Sequence, residues 1–288
     1  MAKIIDGKKL AEKIKDNIVE EIVELKERPN LAIILVGDRE DSKLYVKLKE
    51  EEAKKVGIDT HLYRVPENIS ERELLEIIEH LNNDKMIDAI LIQLPLSENF
   101  DTDAIIRAIN PKKDVDRFHP DNLEILFKTC NHAEVMPPVF EVVLEILKSI
   151  NCDLKNKKAC IVCNSDIFGK SLKKVLECKQ AEVDVVYSND LSAQGGPASG
   201  WKNKTSKADI LITAVGKPKF IKKEMIKQNS LIIDVGITKK DKKVYGDVDF
   251  EDVKEKASYI TPVPGGVGPM TIAMAFKNTL ELYKQNHK

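Results

Sequence analysis

Short apolar runs alternate with amphipathic helical stretches along almost the whole of this chain, and that rhythm leaves few folds open. Leu10, Ile14, Ile18, Ile22 and Leu25 recur at helical spacing and predict a surface helix from Lys8 to Glu27. Leu31 to Val36 is a continuous apolar run ending in Gly37-Asp38, which reads as a buried strand leading into a turn, with a helix following from Ser42 to Val56. His61 to Val65 predicts a short strand. Ser70 to Leu81 predicts a helix entered through the capping-box spacing Ser70-x-x-Glu73; Ala89 to Leu94 is a further buried strand, and a helix follows Asp101. A second round begins at Pro137-Pro138, with a helix to Leu147 and strands at Ala159 to Val162, Val183 to Val186, Ile210 to Val215 and Leu231 to Val235. Strands joined through helices pair in parallel and are covered on both faces, so the expected fold class is α/β.

At 288 residues, 42% of them hydrophobic, the chain has material for two domains. Its 46 basic and 47 acidic residues nearly cancel, so no global field selects a nucleic acid or an anionic membrane as partner. No apolar run approaches the roughly 18 residues of a membrane span, and Met1 to Gly7 carries no signal core, so a cytoplasmic location is expected. Five cysteines without framework spacing argue against a disulfide-stapled fold. Cys160 and Cys163 form a C-x-x-C inside an apolar strand, which would put the side chains on opposite faces and the Cα atoms roughly 10 Å apart; with no second ligand pair, no metal site is expected. Ser192 to Lys204 is rich in turn formers and reads as a mobile surface loop, with Trp201 as its hydrophobic anchor.

Four elements could carry chemistry. Tyr45 and Lys49 lie one helical turn apart; taken alone they read as a solvated face, but their helix follows a strand and a turn, and its first turns point toward the sheet edge where open α/β folds bind ligands. Gln93 interrupts the apolar end of Leu91-Ile92-Gln93-Leu94-Pro95-Leu96, and a buried amide there needs hydrogen-bond partners from backbone or ligand. Asp114 and Asp116 are two apart and share a side if extended, with loop capping as the plain alternative. Thr261-Pro262-Val263-Pro264-Gly265-Gly266-Val267-Gly268-Pro269-Met270-Thr271 combines rigid prolines with glycines that let a ligand approach the backbone.

In order and spacing these segments resemble the methylenetetrahydrofolate dehydrogenase/cyclohydrolase family, as do Lys113-Asp114-Val115-Asp116, Ala208-Asp209-Ile210, Ala214-Val215-Gly216-Lys217-Pro218, Ile233-Asp234-Val235-Gly236-Ile237 and Gly246-Asp247-Val248. The resemblance spans nearly the whole chain. It implies oxidation of 5,10-methylenetetrahydrofolate with NADP or NAD and hydrolysis of the methenyl product to 10-formyltetrahydrofolate, in a homodimer. It further implies an N-terminal folate domain over 1–121, joined by a C-terminal helix at 269–288, a Rossmann-like dinucleotide domain over 122–268, and a deep cleft between them. By the same resemblance Lys49 is the catalytic lysine, oriented by Gln93. Tyr45 packs beside the folate, Asp116 accepts from the pterin, and Ile92, Leu94, Pro264, Gly265, Gly266, Gly268 and Thr271 line the substrate.

The dinucleotide side departs from the family pattern. Where the family has Gly-Arg-Ser-x-x-Val-Gly-x-Pro, this chain has Cys163-Asn164-Ser165-Asp166-Ile167-Phe168-Gly169-Lys170-Ser171. Ser165 and Gly169 are kept. Cys163 adds a Cβ where glycine allows close approach of a pyrophosphate, which predicts weaker binding. Asn164 removes a guanidinium suited to the 2'-phosphate of NADP. The family's His-Ser-x-Thr is Tyr187-Ser188-Asn189-Asp190, which places a carboxylate beside Ser188 where ribose hydroxyls bind; with Ile237 completing the cofactor set, the expectation tilts toward NAD. Pro137-Pro138-Val139-Phe140-Glu141-Val142 replaces the family's Pro-Cys-Thr-Pro-x-Gly, and Arg117 replaces a glycine. Two alternatives follow: a cyclohydrolase with weak or lost dehydrogenase activity, and a silent folate- or nucleotide-binding homologue. A different two-domain dehydrogenase would share the fold without explaining Thr261 to Thr271.

Overall fold

The computed structural model describes residues 1–129, 136–188, 200–241 and 243–287. The chain divides into two compact units. Ala11–Ile125 and Ile272–Lys288 form most of one and Met1–Leu10 and Val139–Thr271 most of the other; after the domains that the resemblance implies, they are labelled the catalytic unit and the dinucleotide unit.

In the catalytic unit, three parallel strands, β2 (Asn30–Val36), β3 (Asp59–Val65) and β4 (Ala89–Ile92), lie in the order β3-β2-β4. Pleating sends alternate β2 side chains to opposite faces. Leu31, Ile33 and Leu35 pack with Ile18 and Ile22 of α1 (Gly7–Leu25), Val46 and Ala53 of α2 (Glu40–Val56), and Phe276 and Leu280 of α10 (Val267–Asn286). Ala32 and Ile34 pack instead with Leu74, Ile78 and Leu81 of α3 (Glu71–Asn83) and Ile105 of α4 (Thr102–Ala108). With both faces covered, the strand has no use for polar alternation, which is why it reads as one apolar run. The capping box of α3 is formed, with Ser70 Oγ accepting from the Glu73 N–H at 3.2 Å and Glu73 Oε2 accepting from the Ser70 N–H at 2.9 Å. Pro120–Thr129 adds α5.

The dinucleotide unit holds a six-stranded parallel sheet in the order β1-β11-β8-β7-β5-β6, from β1 (Lys3–Ile4), β11 (Tyr259–Ile260), β8 (Leu231–Asp234), β7 (Ile210–Ala214), β5 (Lys158–Cys163) and β6 (Glu182–Tyr187). Around it lie α6 (Pro138–Ser149), α7 (Asp166–Glu177), α8 (Trp201–Thr205), α9 (Phe250–Val253) and the hairpin of β9 (Thr238–Lys240) with β10 (Lys243–Tyr245). The expected N-terminal boundary differs here: β1 pairs with β11, so Met1–Leu10 belong to this unit and not to the catalytic one. Cys160 lies in the cluster with Trp201 and Leu211, while Cys163 lies beneath Gly169 of α7, as a two-residue period requires. Burial pushes the two thiols up to about 12 and about 11. Cys152, Cys160 and Cys163 are free, whereas Cys178 is disulfide-bonded, a bridge that the irregular cysteine spacing did not predict. Trp201 is 9% exposed and stacks on Phe220 with centroids 5.8 Å apart; the rest of the expected loop, 192–199, lies outside the described residues.

No described helix is long and apolar enough to cross a membrane, and no group of three or more His, Cys, Asp or Glu residues suited to a metal occurs among the described residues.

Candidate active site

α2 starts just after β2, so its early turns stand over the C-terminal edge of the three-stranded sheet, where β4 also ends. Lys49, on α2, donates through Nζ to Gln93 Oε1 at 2.9 Å, and Gln93 Nε2 donates to the Leu94 carbonyl at 2.7 Å. The amide is held at both ends, so its oxygen faces the lysine. Tyr45 lies one turn earlier on the same helix and is half-buried. Burial pushes the Lys49 amine below its ordinary value, and Asp116 partly opposes that shift. Conversely, burial and the nearby Asp114 push the Asp116 carboxyl up to about 6, against the pull of Lys49. The proton affinities of this amine and carboxyl have moved toward each other, as they do at sites that transfer protons.

Asp114 and Asp116 have different surroundings. Asp114 is buried and its Oδ2 accepts from the His119 N–H at 2.9 Å and from Asn122 Nδ2 at 3.1 Å, so it organises the entry to α5. Asp116 is only half-buried and lines a small recess with Ile90, Ile92, Leu94, Ile106, Ile109, Asp114 and Phe118. Ile92 and Leu94, expected at the substrate, therefore share the recess with Asp116. Arg117, where the family pattern has glycine, adopts φ 59° and is held by Nη1 donating to the Pro111 carbonyl at 2.7 Å.

Pro264, Gly265, Gly266, Gly268 and Thr271 fall in the dinucleotide unit. There Gly266 answers to its own chain: a Cβ on it would lie 2.5 Å from the Pro262 carbonyl oxygen, and one on Gly7 would lie 1.8 Å from the Gly266 carbonyl oxygen. Bare Gly266 keeps its own turn tight, and bare Gly7 lets the two backbones pack. Gly265, at φ 102°, takes a conformation other residues avoid.

β5 lies between β6 and β7, so the chain reverses direction across the sheet at β5, and the crevice beyond its C-terminal end is the topological switch point. Ser165 caps α7 there, its Oγ accepting from the Phe168 N–H at 3.2 Å, and the exposed first turn presents the positive end of a helix dipole. The Cys163 side chain does not reach the surface of this turn. It is 0% exposed, its Sγ donates to the Ser165 carbonyl at 3.3 Å, and it fills the hollow that Gly169 leaves. Asn164 is exposed and Nδ2 donates to the Val215 carbonyl at 3.3 Å. Ser188 is half-buried just past β6, Ile237 is 41% exposed, and Asp190 lies outside the described residues.

Family profiles divide the chain in sequence order, and differ from the compact units at residues 5–10 and 272–287. The catalytic domain of tetrahydrofolate dehydrogenase/cyclohydrolase matches residues 5–116, and the NAD(P)-binding domain of the same family matches residues 137–287. The chain belongs to the tetrahydrofolate dehydrogenase/cyclohydrolase family. A bifunctional FolD protein of Nitratiruptor sp. is 45% identical over 291 residues, covering 99% of each chain. Among solved structures of the family, the Campylobacter jejuni bifunctional FolD enzyme is 38% identical with a TM-score of 0.91, covering 99% of each chain. The Trypanosoma brucei methylenetetrahydrofolate dehydrogenase-cyclohydrolase, solved with NADP and an inhibitor, is 32% identical with a TM-score of 0.91, covering 100% of this chain and 99% of that one. Family membership also accounts for the paired-domain plan, since both profiles fall on this one chain in sequence order.

Proposed function

We propose that this chain oxidises 5,10-methylenetetrahydrofolate to the methenyl form with a nicotinamide dinucleotide and hydrolyses that product to 10-formyltetrahydrofolate. The observation that carries the proposal is the Lys49–Gln93 hydrogen bond beside Asp116, in a chain with full-length bifunctional relatives. A bound nicotinamide dinucleotide would supply the hydride acceptor. No protein base is needed for that step, because hydride loss leaves the substrate carbon positive. Hydrolysis differs, since water adding to that carbon must shed a proton. Lys49, whose amine burial pushes below its ordinary value, is the group placed to accept it, and Gln93 aims the amine. Asp116 accepts hydrogen bonds from the amino-pyrimidine edge of the pterin, a pair of donors that a carboxylate matches. Tyr45 packs against the folate.

The cofactor side of the proposal is that the site prefers NAD or discriminates little. A 2'-phosphate needs arginine or lysine, and Asn164 supplies neither. Lys170 is bound to Asp166 at 2.5 Å and Lys173 pairs with Glu177 at 3.6 Å, so neither replaces the missing guanidinium without giving up a carboxylate. The inward Cys163 side chain supports a working dehydrogenase over the cyclohydrolase-only alternative, whose remaining ground is Asn164.

Purified protein assayed for both reactions tests the whole reading: NAD- or NADP-dependent oxidation together with methenyl hydrolysis is expected, and absence of both would defeat it. For the cofactor, kcat/KM with NADP is expected to stay below ten times that with NAD, and a larger preference, worth about 1.4 kcal/mol, would overturn this part. Asn164→Arg is expected to move the ratio toward NADP. The homodimer implied by the resemblance remains part of the proposal, and light scattering checks it through the mass in solution.

A further inference from the structure

Two buried carboxylates of the dinucleotide unit stand outside the chemistry above. Asp234 ends β8 and Asp247 follows β10, at 2% and 0% exposure. Asp234 Oδ1 accepts from the N–H groups of Gly236 (3.0 Å) and Asp247 (3.1 Å) and from the Thr213 hydroxyl (3.2 Å), and Oδ2 accepts from the Val248 N–H at 2.9 Å. Asp247 accepts from three successive N–H groups: Val215 at 2.6 Å, Lys217 at 2.8 Å, and Gly216 between them. Neighbouring sequence has made room for both. A Cβ at Gly236 would lie 2.2 Å from Asp247 Cγ, and one at Gly246 would lie 2.0 Å from Asp234 Oδ2.

Burial disfavours the charged form of both carboxyls and pushes both up, Asp234 to about 7 with Asp247 adding to the rise. No lysine or arginine bonds either one among the described residues. What the pair secures is a set of loops, 215–217 after β7, 235–237 after β8, and 247–248. The loops after β7 and β8 lie at the C-terminal edge of the parallel sheet, where open α/β folds bind ligands. In a dinucleotide fold the second strand, here β6, serves the adenosine ribose. The other half of the ligand then runs to the opposite side of β5, over β7 and β8.

We propose that Asp234 and Asp247 are positioning residues for the dinucleotide, bracing the backbone of Val215–Lys217 and Gly236–Ile237 as a fixed surface for its reacting half. The inference rests on the reading of this unit as dinucleotide-binding. Each carboxylate acts through the loops it holds, and accepts from several N–H groups that a neutral amide could not satisfy at once, since an amide nitrogen would face donors.

Four variants of the whole chain test it: Asp234→Asn, Asp247→Asn, Thr213→Val, which removes one donor to Asp234 without touching a charge, and Thr213→Ser, which keeps the hydroxyl. NAD and NADP are titrated by calorimetry alongside thermal melting and steady-state kinetics. The asparagine variants are expected to bind the dinucleotide at least tenfold more weakly and to raise its KM equally, with the KM for folate within twofold of wild type. Thr213→Val is expected to weaken binding severalfold and Thr213→Ser to restore it, a contrast that serves even if the asparagine variants fail to fold. Lowered melting temperatures with dinucleotide affinity unchanged in all folded variants would overturn the proposal. Wild-type protein that binds neither dinucleotide would remove the reading beneath it instead.

Discussion

Lys49→Met is expected to slow methenyl hydrolysis by about 10² to 10⁴-fold, the range that a positioned proton acceptor supplies. Methionine keeps most of the length and apolar stem of lysine but has no proton to give or accept. The substitution also leaves Gln93 Oε1 without its donor, at about 1 to 3 kcal/mol if no water replaces it, so some loss of stability should accompany the loss of rate. Asp116 would feel the change as well. Lys49 is what holds its carboxyl down, so without the lysine the carboxyl should rise above about 6. Dehydrogenation, which needs no base, should survive far better than hydrolysis, most clearly at alkaline pH where Asp116 stays ionised. The measurement is the ratio of the two rates on folded variant protein, and hydrolysis at the wild-type rate would take Lys49 out of the mechanism.

Asp116→Ala is expected to weaken folate binding by about 1.5 to 3 kcal/mol, the value of a charge-assisted hydrogen bond, or roughly tenfold to a hundredfold and more. Its pH dependence gives a second test. Only the ionised carboxylate can accept both pterin donors. In wild type, folate affinity should therefore be level above the raised value of about 6 and fall as pH drops through it. The alanine variant should lose this inflection together with the affinity. Folate titrations between pH 5 and 8 decide it: native-like melting with unaltered affinity at every pH would place Asp116 elsewhere than on the pterin.

Much of this arrangement was legible before any coordinates, for reasons that particular residues make clear. β2 is buried on both faces, so it had to be a continuous apolar run, and the spacing of Ser70 and Glu73 announced a helix start that the capping box realises. Lys49 and Gln93 could be paired only through the resemblance, being 44 residues apart on different elements. β1 stayed invisible because two residues carry no periodicity, and its pairing with β11 moved the domain boundary. The hairpin of β9 and β10 is short and mostly polar, which hides it equally well. Asp234 and Asp247 were visible as members of family-like segments. Their joint role depends on a contact across 13 residues that no pattern along the chain encodes.

Trp201 is the only tryptophan in the chain, and it belongs to the dinucleotide unit, buried and stacked on Phe220. Fluorescence excited at the red edge of indole absorption is thus a built-in reporter for that unit and is blind to the other. A denaturation curve that appears in circular dichroism with no matching change in tryptophan emission would record the catalytic unit melting by itself, whereas coincident curves would mean that the two units unfold as one cooperative body.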